Sequence, residues 1–537
     1  MDRRVFLSLL GGGALTIANT AVAEAEQLFL ASRKVAEAAY IPEEIALLQV
    51  LRDGQIYQYV RDAEGTALVC GDGSSWSPAE APNLLHWGVA ADGTEDDAEA
   101  ITQFVAYLDR TRREGYVPAG RYAVSYVRNR ELQFGLAIRC HPEARFEGLP
   151  TKEIIEDLSA GSHRLSAFQA SPGGVRVTVN RDGREVSLRK GKDFEFSDNT
   201  ITWASDSARL AKASGPVTVV SASPMIELGV RNPSGSRCEW TGGVIDNGRR
   251  GFAPARASGS GLVLTFFEQY EVSGVSFLGA TDYETAKRDG VTDTSLTIDR
   301  CSGGMISGNR FSGQADLGIY ITGGNEADDA DNGIHHVVQG NYFVGCNGGV
   351  SAKRDVRGMK ILANTFEACF VGAAFYNTTQ RGEGGRGIIS GNEFVRSARA
   401  AIDVRATRNV IVSGNVIRDI GETPSGQVQP GSAGIDLRGV SYSAVYDNLV
   451  VLEDFAGQGS VGIRLGPDET NETIECTKLV ITGNALSRLE TGIREQGAGD
   501  HNLFRENYMS EVAQPMDVPE RRAWQYRDPR GAHESTG

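Results

Sequence analysis

Asn309-Arg310-Phe311, Asn341-Tyr342-Phe343, Asn364-Thr365-Phe366, Asn392-Glu393-Phe394, Asn415-Val416-Ile417, Asn448-Leu449-Val450, Asn484-Ala485-Leu486 and Asn507-Tyr508-Met509 repeat one motif: an asparagine, then a large apolar side chain two residues on. Three of the Asn-to-Asn intervals are 23 residues and the others are longer. That period belongs to a stacked solenoid, in which each coil buries its apolar face against its neighbours. The expected fold class is all-β, a parallel β-helix whose repeats run over residues 224–517. The asparagines themselves are read as scaffold, hydrogen-bonding to one another at a tight turn where left-handed geometry suits Asn.

The repeat also supplies a register. A strand of form Gly-Ile-x-Val follows each Asn, and x falls 10 or 11 residues on at Tyr320, Ser351, Ala374, Asp403 and Arg494. The same pattern places Asp436 and Arg464 in the two remaining coils. Side chains alternate along a strand, so Ile402 and Val404 face the core and the x residues face outward. A second outward column follows two residues later: Thr322, Lys353, Tyr376, Arg405, Arg438, Gly466 and Gln496.

Strands stacked about 4.8 Å apart make Asp403 and Asp436 neighbours, with Arg405 and Arg438 beside them. A carboxylate pair at about 5 Å suits retaining glycoside hydrolysis. An Arg, Lys or Tyr could instead take the C5 proton of a uronate while another cation neutralises its carboxylate, which is β-elimination. A solvated Asp/Arg ladder with no ligand is the third reading. The expected catalytic residues are Asp403, Asp436, Arg405 and Arg438, with Tyr320, Lys353, Tyr376, Arg464 and Arg494 binding substrate. Insertions flank the x strand at 323–333, 377–386, 421–432, 454–460 and 466–477, as if walling a groove. One contains the acidic run Asn325-Glu326-Ala327-Asp328-Asp329-Ala330-Asp331, which suits calcium in charge but lacks calcium-loop spacing, so no metal or cofactor is required. His335-His336 is read as structural.

Upstream, Trp87-Gly88-Val89-Ala90-Ala91-Asp92-Gly93-Thr94-Glu95-Asp96-Asp97, a helix over 98–113, and Pro118-Ala119-Gly120-Arg121-Tyr122 together resemble the start of the pectate-lyase-superfamily right-handed, single-stranded parallel β-helix. The pattern departs at Ala91, where that superfamily has Gly. The resemblance implies a polysaccharide-acting enzyme or a tailspike. Thr94 or Asp96 is expected to cap the helix, which covers the open end of the solenoid. Polygalacturonase-like members carry acidic and Gly-His motifs where Leu317, Val371, Ala400, Ala433 and Val461 stand here, and no Asp-Pro-His motif of epimerase-like members occurs.

Residues 24–80 form a lead-in module, with a helix expected over 24–39 and strands over 45–51 and 55–61. The β-helix starts over 81–156. Alternating strands with tight turns over 157–223 signal an inserted antiparallel β module. Residues 518–537 are a polar tail expected to be disordered.

Residues 1–23 are expected to be an export signal of twin-arginine type: Arg3-Arg4, a modest apolar run with three glycines, and Ala21-Val22-Ala23 for cleavage. Export to the periplasm or beyond follows, with no stable membrane insertion after signal removal. The formal charge of −15, from 54 basic and 69 acidic residues, disfavours nucleic acid as a partner. The seven cysteines show no metal-ligand or disulfide spacing and are read as buried thiols. The functional expectation is an exported enzyme cleaving a polysaccharide or oligosaccharide by hydrolysis or β-elimination. The alternative is a non-catalytic, tailspike-like polysaccharide-binding or surface-structural protein, assembled as a homotrimer.

Overall fold

The computed structural model describes residues 27–518 apart from 150–151, 159, 167–174, 182–183, 211–214, 222–223, 248–257, 280–291, 314–315, 324–332, 355, 377–384, 423–428, 454–458, 469–473, 498 and 500. The signal-like segment 1–23, the acidic run 325–331, the tail from 519 and the middle of each of the five insertions lie outside the described residues.

One coil shows how the repeat works. Ile388–Ser390, Glu393–Val395 and Ala400–Arg405 are three short strands separated by bends, and each pairs in parallel with its equivalent one coil later. Repetition builds three long parallel sheets, of 12, 13 and 12 strands among the described residues. The protein is a parallel β-helix, right-handed as parallel crossovers are.

The interior is layered by residue type. Phe277, Phe311, Phe343, Phe366 and Phe394 stack nearly parallel at 4.7 to 4.8 Å between ring centroids, the spacing of the strands that carry them. The rings of Phe343, Phe366 and Phe394 fill the space where the third sheet begins, which explains the glycines Gly318, Gly349 and Gly372 there. A Cβ at Gly349 would stand 2.5 Å from the Phe366 ring, and one at Gly372 would stand 2.5 Å from Phe394. The next coil has Ala401 at that position, and there Ile417 replaces phenylalanine in the stack. All seven cysteines are free and buried.

The asparagines form a continuous ladder. The backbone N–H and the side-chain Nδ2 of each donate to Oδ1 of the next, as from Asn364 to Asn392 at 2.9 and 3.0 Å. Nδ2 also donates to a backbone carbonyl of the preceding coil, as from Asn364 to Val338 at 2.9 Å. The left-handed residue is the one before each asparagine and not the asparagine: Gly308, Gly340, Ala363, Gly391, Gly414, Asp447, Gly483 and Glu506 all have positive φ. Asn is there for its amide, since only a side chain with donor and acceptor can pass the chain of bonds onward.

The N-terminal part departs from expectation at one helix. Gln27–Leu30 is a strand that pairs in parallel with Leu47–Val50, and only Arg33–Ala38 is helical, capped by Ser32. Strand pairing in a five-stranded sheet outweighs local helix propensity there. The second helix, Ala98–Thr111, buries Ile101, Phe104, Val105 and Leu108 against the first coil, with Trp87 edge-on to Phe104 and Tyr107. Its first N–H bonds go to Asp96, whose Oδ1 accepts from Ala98 at 3.1 Å; Thr94 turns away to donate to Asp92. Asp97 is held instead by the backbone N–H of Ala90 at 2.6 Å, and burial raises its carboxyl pKa to about 6.

Between Gly148 and Ile226 the chain leaves the solenoid for two small antiparallel sheets of four and three strands, with their own core around Val177, Val179, Phe196, Ile201 and Val219. Lys152–Ile155 already belongs to this module, pairing with Val217–Val220. The insertion therefore begins before residue 157.

Candidate functional site

The third sheet carries the register counted from the asparagines. Tyr320, Ser351, Ala374, Asp403, Asp436, Arg464 and Arg494 are successive partners across its strands, and Thr322, Lys353, Tyr376, Arg405, Arg438 and Gly466 run beside them. Ile402, Val404, Ile435 and Leu437 are core residues between them.

Facing outward does not make the two aspartates accessible. Asp403 is 0 % and Asp436 1 % exposed, because each is roofed by its own set of donors. Asp403 Oδ1 accepts from Arg405 Nε at 2.8 Å; Oδ2 accepts from Arg405 Nη2 at 3.0 Å, from the Tyr376 hydroxyl at 2.7 Å, and from Arg399. Asp436 takes a two-pronged contact from Arg464, Nε to Oδ1 at 3.0 Å and Nη2 to Oδ2 at 2.7 Å, and a second cation from Arg438 Nε at 3.2 Å. Burial alone would raise the Asp436 pKa, yet the hydrogen bonds and charge of Arg464, with Arg438, hold it below the ordinary carboxylate value. It stays ionised, the opposite of what a glycosidase acid needs.

Lys353 is placed differently. Its amine lies 5.7 Å from the Tyr320 ring and 5.5 Å from the Tyr376 ring, and among the described residues it makes no hydrogen bond or ion pair. Burial, with Arg354 and Arg405 near, lowers its pKa below the usual lysine value against the opposing pull of Asp316 and Asp403. The Tyr320 hydroxyl likewise has no partner among the described residues. The Tyr376 hydroxyl is committed to Asp403 and Arg399, and burial first, then the Asp403 charge, raises its pKa.

Two members of this cluster escaped the sequence reading. Arg399 and Asp316 each stand four residues before an x position, at the bend entering the third sheet, where their backbone carbonyls accept from Ala433 and Gly348. Counting four back from Asp403 and Tyr320 would have found this third column. Burial raises the Asp316 carboxyl pKa, and Lys353 is the charge that opposes it. Arg464 and Arg494 fall outside the cluster. Arg464 is spent on Asp436 and on the Gly431 carbonyl at 2.7 Å, and Arg494 bonds Asp517 at 3.0 Å about five strand spacings from Ser351. His336 is fully buried, bonded to the Tyr270 hydroxyl at 2.8 Å, with its pKa lowered to about 3 by burial.

Residues 329–532 match the family described as periplasmic copper-binding protein (NosD). The surface adhesin PfbA of Streptococcus pneumoniae superposes with 13% identity, covering 81% of this chain and 93% of that one at a TM-score of 0.48. The Azotobacter vinelandii mannuronan C-5 epimerase AlgE4 A-module gives 12%, 83%, 100% and 0.42, and a Thermotoga maritima exopolygalacturonase 12%, 81%, 88% and 0.39. At these identities the likeness is one of fold. No curated protein matches the chain.

The described residues do not form a copper centre. Among the described residues no group of three His, Cys, Asp or Glu side chains is placed to hold a metal ion, and Cys346, Cys369, Cys476 and His336 in the matched region are core residues. The acidic run 325–331, whose charge alone suits calcium, lies outside the described residues. Among the described residues no helix is long and apolar enough to cross a membrane.

Proposed function

We propose that the protein is an exported, periplasmic or secreted carbohydrate-active enzyme that cleaves an acidic polysaccharide by β-elimination on the third sheet. The observation that carries this reading is Lys353: an amine with lowered pKa that, among the described residues, makes no ion pair, beside the Tyr320 hydroxyl, which has no partner among them, and a cluster of guanidinium groups. The uronate carboxylate lies against Arg405 and Arg399, which stabilise the charge that grows on it as the C5–H bond breaks. Lys353 Nζ takes the C5 proton, the C5–H electron pair becomes the C4–C5 double bond, and the C4–O bond breaks. The leaving oxygen takes its proton from the Tyr320 hydroxyl.

Asp403 and Asp436 have a different role from the acid and nucleophile of a hydrolase. Buried carboxylates with every oxygen engaged cannot reach a sugar, but they fix the guanidinium planes that do. The family description of the matched region supports a periplasmic location.

The test is incubation of the protein with uronate polymers, following both reducing ends and the ultraviolet absorbance of the unsaturated product. Absorbance rising with reducing ends is the expected result. Reducing ends without absorbance would establish hydrolysis instead, and binding with neither signal would leave the non-catalytic, tailspike-like binder as the answer.

A further inference from the structure

Following the Asp403 column toward the N-terminus leads through Ala374, Ser351, Tyr320, Thr297 and Val263 to Glu227, each the strand partner of the last. Glu227 repeats the arrangement at Asp403. It is 3 % exposed, and Oε2 accepts from the Tyr126 hydroxyl at 2.6 Å as Asp403 accepts from Tyr376. Arg130 Nε donates to Oε1 at 2.7 Å, and Arg128 Nε stands 3.8 Å from Oε2. Each of these two buried carboxylates thus holds two guanidinium groups, and Asp436 with Arg438 and Arg464 is a third such unit on the same sheet.

Among the described residues the Glu227 unit places two cations on one carboxylate. Around Glu227 the side chains of Arg128 and Arg130 are 43 % and 49 % exposed and have no other carboxylate within ion-pair distance among the described residues. Holding one unit of excess charge against a structural carboxylate leaves the outer guanidinium donors directed to solvent.

Resting on the β-elimination reading, we infer that Arg128 and Arg130, held by Glu227 and Tyr126, form a distal carboxylate-binding subsite for the same acidic polysaccharide. Six strand spacings at about 4.8 Å put it about 29 Å from the Asp403 unit along one sheet face. Only a polymer long enough to span that distance engages both, and the second contact then forms at high effective concentration.

The experiment measures binding of short and long fractions of polygalacturonate, alginate and hyaluronate to the wild type and to Arg128→Ala/Arg130→Ala, with Arg130→Gln as a milder variant. Long fractions should bind the double variant at least about tenfold more weakly, while short ones bind both proteins alike. Equal loss at both lengths would mean a structural role and overturn the subsite. So would unchanged long-chain binding, and the appearance of unsaturated product would then show that the proposed function stands without it. Binding of none of the three polymers by the wild type would overturn both.

Discussion

Asp403 and Asp436 are strand partners, yet each carboxylate turns to its own pair of arginines: Arg399 and Arg405 for the first, Arg438 and Arg464 for the second. Two like charges one strand spacing apart are stable because four cations separate and surround them. The pair is a foundation for guanidinium groups and not an acid–nucleophile dyad.

Asp436→Asn should therefore cost stability. Removing one partner of a buried ion pair strands the other, at about 3–5 kcal/mol. The lowered pKa fixes the sign with pH: its contribution is present above the ordinary carboxylate value of 3.8 and is lost as pH falls through the lower folded value. Chemical denaturation of wild type and variant at neutral pH and below pH 4 checks this. The gap between them should narrow in acid.

Lys353→Ala should lower the elimination rate by about 10²- to 10⁴-fold, the usual contribution of a positioned base. Because the amine must be unprotonated to accept, wild-type activity should rise with pH and level off below the ordinary lysine value of 10.5. A rate profile across the alkaline range decides it. A variant with an unchanged profile would remove Lys353 from the mechanism.

Asn392→Ala breaks the ladder in the middle. The Asn364 N–H and Nδ2 lose their shared acceptor, and the Ile361 carbonyl and Asn415 Oδ1 lose a donor. Each buried polar group left unpaired costs about 1–3 kcal/mol. Hydrogen exchange should show the loss concentrated at the amides of Asn364 and Thr365, with distant coils keeping their protection.

Gly372→Ala should destabilise by about 1–3 kcal/mol, because the added methyl meets the Phe394 ring and the Ala401 carbonyl. Adding Phe394→Ile should recover much of the loss, since the Ala401 and Ile417 pair one coil later is that combination in place. Thermal midpoints of the single and double variants measure the coupling.

Most of this geometry was legible before the structure. Once Asn309 to Asn507 set the period, strand alternation fixed which residues form columns, and Tyr320 through Arg494 are paired as counted. What counting misses is cover. Alternation says that Asp403 points outward but not that Tyr376, Arg399 and Arg405 close over it, since Arg399 reaches it from a bend and not from a strand. Asp316 stands at the equivalent bend, four residues before Tyr320, and is reached only when the count is carried back past the strand. Propensity puts the left-handed turn on Asn itself, because it does not tell a residue from its neighbour when both sit in one turn; Gly391 and Asn392 share that bend but divide the work.

The asparagine ladder also sets the step by which such a molecule can change length. A coil added or deleted between two asparagines leaves every rung with a donor and an acceptor, so whole coils can be gained or lost where fractions of a coil cannot. Each such event between Thr297 and Asp403 would shift the Glu227 unit relative to the Asp403 unit by about 4.8 Å, one strand spacing. Relatives differing by one coil would then be gauges of different length, with the two buried-carboxylate units spaced one strand further apart or closer along the same face.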